Sequence, residues 1–183
     1  MTVLAIPGSL RAGSYNTALA RAASRVAPDD VEVEIFDGLR ELPLYDGDIE
    51  SEEIAAVEWL RDRIDDADAL LVVTPEYNGS IPGALKNAID WASRPRGDAA
   101  LRGKTVAVAG ASPGQYGALR AIQDLRRVLG VAGARVIDGE VYVPRVHELV
   151  DETDELRSEL IESRLETLLE ELVGATAREP IAA

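Results

Sequence analysis

Cysteine is absent from the 183-residue chain. Without thiols the protein can form no disulfide, thiolate metal site, iron–sulfur cluster or cysteine nucleophile. Histidine is almost absent too, since His147 is the single one. A metal site of the usual type needs several such ligands. We therefore predict no metal site and interpret His147 as structural or solvated.

Long apolar runs are also missing. No stretch approaches the roughly 20 residues that a membrane-spanning helix needs. The first six residues (MTVLAI) carry neither the basic region nor the cleavage site of a signal peptide. We predict no membrane association and a cytoplasmic location, with a buried strand beginning almost at the first residue.

Basic residues are scarce, with 19 against 33 acidic ones and a formal net charge of −14. Nucleic-acid binding needs a basic patch to neutralise phosphates, so we predict none. The only lysines are Lys86 and Lys104. An acid-rich, lysine-poor composition resembles that of proteins from salt-loving organisms, where salt screens the self-repulsion. An ordinary acidic cytoplasmic protein is the alternative.

Two kinds of apolar pattern alternate along the chain. Continuous runs at residues 3–6, 69–73 and 106–109 predict strands that are covered on both faces. Residues 31–35 alternate between apolar and acidic side chains, which predicts an edge strand. A fifth strand is predicted at residues 134–137, with residues 141–143 as its continuation or as a short extra strand. Helical periodicity predicts helices near residues 16–27, 52–66, 82–92, 119–129 and 156–172.

The alternation of strands and helices predicts an α/β fold. We expect one doubly wound domain over residues 1–174 and a C-terminal tail over residues 175–183. The nucleotide-binding options are a Rossmann sheet and the flavodoxin-like three-layer sandwich, a five-stranded parallel sheet of order 2-1-3-4-5. Ligands of such sheets lie beyond the carboxyl ends of the strands, where the strand order reverses. In the second option, the loops after strands one, three and four form that place.

The first of these loops, residues 7–16 (PGSLRAGSYN), follows a strand and opens a helix. Free amides at a helix N-terminus attract an anion, and Arg11 adds a forked cation suited to phosphate. The loop has neither the Gly-Lys-Ser/Thr of a Walker A motif nor a GxGxxG, and one phosphate fits it better than a pyrophosphate. A polar loop with a helix cap would explain the serines and Asn16, but not Arg11.

The second loop, residues 74–83 (TPEYNGSIPG), has the features of a wall for a planar ring. Pro75 and Tyr77 offer flat surfaces, and the backbone of residues 76–79 offers polar groups. The Asn-Gly pair is also a strong turn signal, and the two interpretations are compatible. In the third loop, residues 110–117 (GASPGQYG), small residues leave room for the other edge of such a ring.

Residues 8–16 and residues 74–91 (TPEYNGSIPGALKNAIDW) resemble the NADPH-dependent FMN reductase family, which includes quinone, azo-dye and chromate reductases. The resemblance extends to about residue 172. It implies an enzyme that binds FMN and takes hydride from NADPH or NADH. By a ping-pong mechanism it would pass electrons to a small acceptor: a quinone, free flavin, azo compound or metal oxyanion. The flavin itself does this chemistry, so we expect no catalytic side chain.

The resemblance also implies the FMN-binding residues. These are Ser9, Arg11, Ser14, Tyr15, Asn16, Pro75, Glu76, Tyr77, Asn78, Gly79, Ser112 and Gly114. Those of the first loop belong to the phosphate site, those of the second meet the isoalloxazine and ribityl chain, and those of the third close the far side. We interpret Glu76 as structural and not as an acid or base, because it lies in a backbone-rich turn.

Members of this family are dimers or tetramers with the flavin near a subunit interface, so we expect a homodimer or homotetramer. Residues 42–46 resemble the stretch that approaches the neighbour's flavin. Residues 82–92, including Trp91, are a candidate interface element, although core packing is an equal interpretation of Trp91. Arg94 and Arg96 are candidates for contacts with the phosphates of the nicotinamide cosubstrate.

Three alternatives remain open at this stage. A flavodoxin-type electron carrier has the same fold and cofactor, a flavin-sensing module would turn over only incidentally, and an α/β protein could lack flavin altogether. Arg11 and residues 76–83 favour the reductase, since flavodoxins typically hold the phosphate in a Thr/Ser-rich loop without an arginine.

Overall fold

The structure is a computed structural model and describes residues 1–177. Five parallel strands form a central sheet, and helices cover both of its faces. The strands are β1 Thr2–Pro7, β2 Glu32–Ile35, β3 Ala69–Thr74, β4 Thr105–Ala111 and β5 Arg135–Val143. The helices are α1 Tyr15–Arg25, α2 Ala55–Asp66, α3 Gly83–Ala92, α4 Leu119–Val131 and α5 Glu159–Thr176. Short 3₁₀ helices occur at Gly38–Glu41, Gly47–Ile49 and Val146–Glu148.

The strand order is β2-β1-β3-β4-β5, and every neighbouring pair is parallel. This confirms the predicted flavodoxin-like sheet of order 2-1-3-4-5. Strands β3 and β4 are buried throughout, as is β1 beyond its first residue. Because the order reverses at β1, the carboxyl ends of β1, β3 and β4 lie side by side at one edge of the sheet.

The core has two halves, one on each face of the sheet. Along β1, Val3 and Ala5 pack toward α1 and α5, whereas Leu4 and Ile6 pack toward α2, α3 and α4. Successive side chains of a strand point to opposite faces. A strand covered on both faces must therefore be apolar at every position, which is the pattern that predicted it.

Strand β5 runs without interruption to Val143, and an irregularity in its pairing with β4 falls between Val106 and Val108. Residues 141–143 are thus the continuation of the fifth strand. The prediction for the last helix was wrong at its start, because α5 begins at Glu159. Leu156 lies before it, fully buried and bridged to Val150, while Leu160 is 63% exposed and off the packed face.

Helix α5 extends to Thr176, two residues beyond the predicted end of the domain at residue 174. Residues 178–183 of the predicted tail lie outside the described residues, and the domain boundary stays a prediction. Within residues 1–177, no helix has both the length and the apolar character to cross a membrane. The same residues contain no group of three or more histidine or acidic side chains placed to hold a metal ion.

Candidate active site

The three loops after β1, β3 and β4 meet around a narrow pocket of about 50 Å³. The pocket is lined by Ser9, Arg11, Ser14, Tyr15, Asn16, Pro75, Glu76, Tyr77, Ala111, Ser112 and Pro113. The structure thus brings together nine of the twelve predicted cofactor-binding residues; Asn78, Gly79 and Gly114 lie outside the enclosed part. Ala111 and Pro113 were not singled out from the sequence, although they follow β4 directly. The volume is a few times the roughly 10–15 Å³ that a cavity needs to hold one water molecule, so it fits a phosphate group but not a flavin ring.

The first loop has a run of backbone N–H groups that are free to bind an anion. Among residues 1–177 there is no acceptor for the N–H groups of residues 9, 10 and 12–15. Helix α1 begins at Tyr15 and points the positive end of its dipole at this loop. The Arg11 guanidinium lies 5.8 Å from the centre of the Tyr15 ring and forms no ion pair within the described chain. Free amides, a helix terminus and an unpaired guanidinium are what a phosphate site requires.

Two of the predicted phosphate residues also hold the loop in place. The Ser14 hydroxyl caps α1 by accepting the N–H groups of Asn16 at 3.2 Å and Thr17 at 3.3 Å. The buried Asn16 amide donates to the Ala111 carbonyl at 3.1 Å and accepts the Ala111 N–H at 3.0 Å. The Asn16 side chain thereby joins the start of α1 to the end of β4, and connects the first loop with the third.

The second loop closes as a tight turn. The N–H of Tyr77 donates to Ser80 O at 3.0 Å, and the N–H of Ser80 donates to Tyr77 O at 3.1 Å. Between them Asn78 and Gly79 have φ values of 53° and 79°, the left-handed pair of a type I′ turn. Within residues 1–177, the N–H groups of Glu76, Asn78 and Gly79 have no acceptor. The Tyr77 ring is 44% exposed, so the turn presents a flat aromatic surface beside free donors.

Two carboxylates fasten this turn to α4. Glu76 accepts the N–H of Arg120 at 3.2 Å, a position near the helix N-terminus that favours a negative charge. Asp124 accepts the Ser80 hydroxyl and also binds Arg127. The Ser80 hydrogen bond, and secondarily that of Arg127, lowers the pKa of Asp124.

The contact of Glu76 agrees with a structural role for its carboxylate. Sequence reasoning missed both partners on α4. Each lies 44 residues along the chain from the turn residue that it binds, so no local pattern signals the contact.

The third loop is anchored to the end of β5. Ser112 donates its N–H to Val143 O at 3.1 Å, and its hydroxyl accepts the Gly114 N–H at 3.1 Å. Gly117 has a φ of 57°, and a Cβ there would lie 2.5 Å from the Pro144 nitrogen. A larger residue would force this loop away from the strand.

Residues 42–46 lie against α3 through three hydrogen bonds. Asn87 accepts the Tyr45 N–H at 2.7 Å and donates to Pro43 O at 2.8 Å, and the Trp91 indole donates to the same carbonyl at 2.9 Å. Trp91 is only 1% exposed, so it packs in the core of the chain. Leu44, at the tip of the segment, is 84% exposed.

Comparison with known proteins agrees with this architecture. The sequence model of the family described as NADPH-dependent FMN reductase matches residues 1–148. A quinone reductase of Escherichia coli strain K12 is 39% identical over 163 residues, covering 83% of this chain and 86% of that protein. An NAD(P)H-dependent FMN reductase of Pseudomonas aeruginosa is 41% identical over 172 residues, covering 91% of this chain and 92% of that protein.

A solved structure is similar over nearly its whole length. The flavoenzyme NAD(P)H:(acceptor) oxidoreductase of Paracoccus denitrificans superposes with a TM-score of 0.86 at 34% identity and covers 97% of both chains. Motifs, strand order and these similarities agree, and the chain belongs to the NADPH-dependent FMN reductase family.

Proposed function

We propose that the protein is an FMN-dependent NAD(P)H oxidoreductase that reduces quinones. The observation that carries the proposal is the meeting of the three loops, in which the free amides of residues 9, 10 and 12–15 and the unpaired Arg11 guanidinium lie beside the Tyr77 turn. A phosphate and a planar ring are the two parts that this arrangement suits. Quinone is the acceptor named for the relative from Escherichia coli, and it is a small planar molecule that an exposed flavin face would accept.

In this proposal FMN, when bound, supplies the hydride chemistry, and the protein supplies binding and orientation. The Arg11 guanidinium and the amides of residues 9, 10 and 12–15 hold the phosphate. Pro75 and Tyr77 support the ring, and the N–H groups of residues 76, 78 and 79 meet its heteroatoms. The carboxylates of Glu76 and Asp124 hold the turn in position, and no side chain acts as acid or base.

Substrate exchange follows from the open site. We propose that NAD(P)H and the acceptor occupy the same exposed face in turn, which is a ping-pong mechanism. Free flavin, azo compounds and metal oxyanions would have equal access to that face, and either NADPH or NADH would serve as donor. A kinetic panel of these acceptors with both donors distinguishes the choices, with parallel double-reciprocal lines as the sign of ping-pong kinetics.

The FMN site is tested by replacing Arg11 with glutamine. We expect the Kd for FMN, measured by fluorescence titration of the flavin-free protein, to rise about tenfold, because a charge-assisted hydrogen bond contributes about 1.5–3 kcal/mol. Arg21→Gln is the matched control, an exposed arginine on α1 away from the pocket, and should leave the Kd unchanged. Equal Kd values for both variants would refute the phosphate site. Flavin-loaded protein that fails to oxidise NAD(P)H with any acceptor would instead favour an electron carrier.

The oligomeric state and the cellular location are part of the same proposal. A homodimer or homotetramer would cover the exposed Leu44 and other large apolar side chains such as Val131, which is 83% exposed. A cytoplasmic location would give access to NAD(P)H, and the charge of −14 would suit a high-salt cytoplasm. Light scattering after size-exclusion chromatography would test the assembly, with a monomer as the contrary result.

A further inference from the structure

An arginine after β2 contacts the first loop of the candidate active site. Because β1 and β2 are parallel neighbours, their carboxyl ends lie at the same edge of the sheet, and the N–H of Phe36 donates to Ala5 O at 2.9 Å. The 3₁₀ helix Gly38–Glu41 follows β2 directly. Its Arg40 side chain donates to the Leu10 carbonyl at 2.5 Å. The loop is thus held from a separate element, 30 residues along the chain.

The 3₁₀ helix that carries Arg40 is fixed by packing. Leu39 is only 5% exposed and lies in the same half of the core as Phe36. Gly38 packs so closely that a Cβ there would clash with the rings of Trp59 and Phe36. These two rings contact each other, with their centres 4.9 Å apart. Since well-packed side chains have little freedom to shift, the backbone of Arg40 is a firm base for its hydrogen bond to the loop.

The hydrogen bond from Arg40 fixes one peptide plane of the first loop. The Leu10 carbonyl and the Arg11 N–H belong to the same planar unit. The carbonyl accepts from Arg40, and the N–H donates to the Ser9 hydroxyl at 3.4 Å, so this plane is held at both of its ends. Within residues 1–177, no other hydrogen bond joins the backbone of residues 9–13 to another element. The orientation of this segment therefore depends on Arg40.

The same bond keeps the Leu10 carbonyl out of the phosphate pocket. Leu10 and Arg40 line a neighbouring pocket of about 140 Å³, and neither of them lines the pocket of about 50 Å³. Ser9 and Arg11 line both pockets, so the two are adjacent. A carbonyl oxygen directed at an anion would repel it. Because Arg40 binds this oxygen outside the phosphate pocket, the free N–H groups of the loop are left to meet the anion.

We propose that Arg40 is a positioning residue for the flavin phosphate. By holding the Leu10 carbonyl it orients the free N–H groups of the loop and the Arg11 guanidinium before the flavin binds, and it does not itself contact the flavin. A loop that is already ordered loses less conformational entropy when it binds a ligand. The inference rests on the proposed function and adds to the site a residue that neither of its sequence motifs contains.

The test compares FMN with riboflavin, which is the same flavin without the phosphate. The Kd of each is measured by fluorescence titration of the flavin-free protein in 1 M KCl, where the Debye length of about 3 Å screens the charge of a distant side chain. Arg40→Met keeps the length of the stem and removes the donors. We expect its Kd for FMN to rise about fivefold and its Kd for riboflavin to stay unchanged. Arg40→Lys retains a donor and should recover most of the affinity for FMN.

Arg21→Gln, an exposed arginine on α1, is the control and should change neither Kd. The melting temperature of the flavin-free Arg40→Met protein is a second criterion for an intact fold and should lie within about 2 °C of the wild-type value.

An unchanged Kd for FMN in Arg40→Met would overturn the inference and leave the proposed function standing. A rise of both Kd values by the same factor, or a lower melting temperature, would also overturn it and assign Arg40 to the stability of the fold. A rise that occurs at 0.1 M KCl but disappears at 1 M would overturn it as well, because only the charge of Arg40 would then matter. If the wild-type protein binds no FMN, the proposed function itself fails.

Discussion

Replacing Asn16 by alanine removes the bridge between the first and third loops. The side chain is 3% exposed and exchanges two hydrogen bonds with the backbone of Ala111, at 3.1 and 3.0 Å. Ala111 is 1% exposed, so its N–H and carbonyl would lose their partners where little water can replace them. The substitution keeps the helix propensity of α1, because alanine is the best helix former.

The expected cost follows from these two bonds. Each contributes about 1 kcal/mol net, and a buried backbone group left unpaired costs about 1–3 kcal/mol. Allowing for partial relaxation, we expect the free energy of unfolding to fall by about 3 kcal/mol. For a chain of this length the melting temperature should fall by about 6–12 °C. A domain has only about 5–15 kcal/mol of stability, so the effect is large.

The assay is urea denaturation of the flavin-free protein, followed by tryptophan fluorescence, since Trp59 and Trp91 lie on α2 and α3, away from the substitution. Gln123→Ala is the control, an exposed amide on α4 without a hydrogen bond to residues 1–177, and should change stability by less than about 0.5 kcal/mol. A loss below about 1 kcal/mol for Asn16→Ala would refute the bridge. Repeating the measurement with FMN bound distinguishes the structural role of Asn16 from a role in FMN binding. If Asn16 also contacts the phosphate, the substitution should lower the free energy of unfolding more in the FMN-loaded protein than in the flavin-free protein.

Two further predictions concern charge. Asp124→Asn should destabilise the protein at neutral pH by up to about 1 kcal/mol. The lowered pKa of Asp124 means that its contribution is present above the usual value of 3.8 and is lost as the pH falls below it. Urea denaturation at pH 6 and pH 3 checks this, and a difference that grows in acid would contradict it. Raising KCl from about 0.1 M to 1 M shortens the Debye length from about 10 Å to 3 Å, so the melting temperature of this chain of charge −14 should rise; a fall would argue against self-repulsion as a destabilising factor.

Helix and strand positions were largely predictable because burial imposes a period on the sequence. The continuous apolar run at residues 69–73 has no solvated face, which identifies a central strand. The same reasoning was wrong at Leu156. This leucine has helical spacing, but it is buried before α5 begins, and its backbone forms an isolated β-bridge with Val150. A leucine in the sequence indicates that its position is buried, but it does not indicate whether the backbone there is helical or extended.

The candidate site was likewise predictable only in part. The sequence by itself determined that three polar loops follow β1, β3 and β4, and parallel strands bring their carboxyl ends to one edge, so Ser9, Tyr77 and Ser112 had to meet. Only the tertiary structure decided that Asn16 bridges to Ala111, 95 residues away, and that Asp124 holds the Ser80 turn. It also decided that Lys86 on α3 and Arg127 on α4 line one pocket. Periodicity and turn signals are local properties of a chain, whereas contacts between distant residues depend on how its helices pack on the sheet.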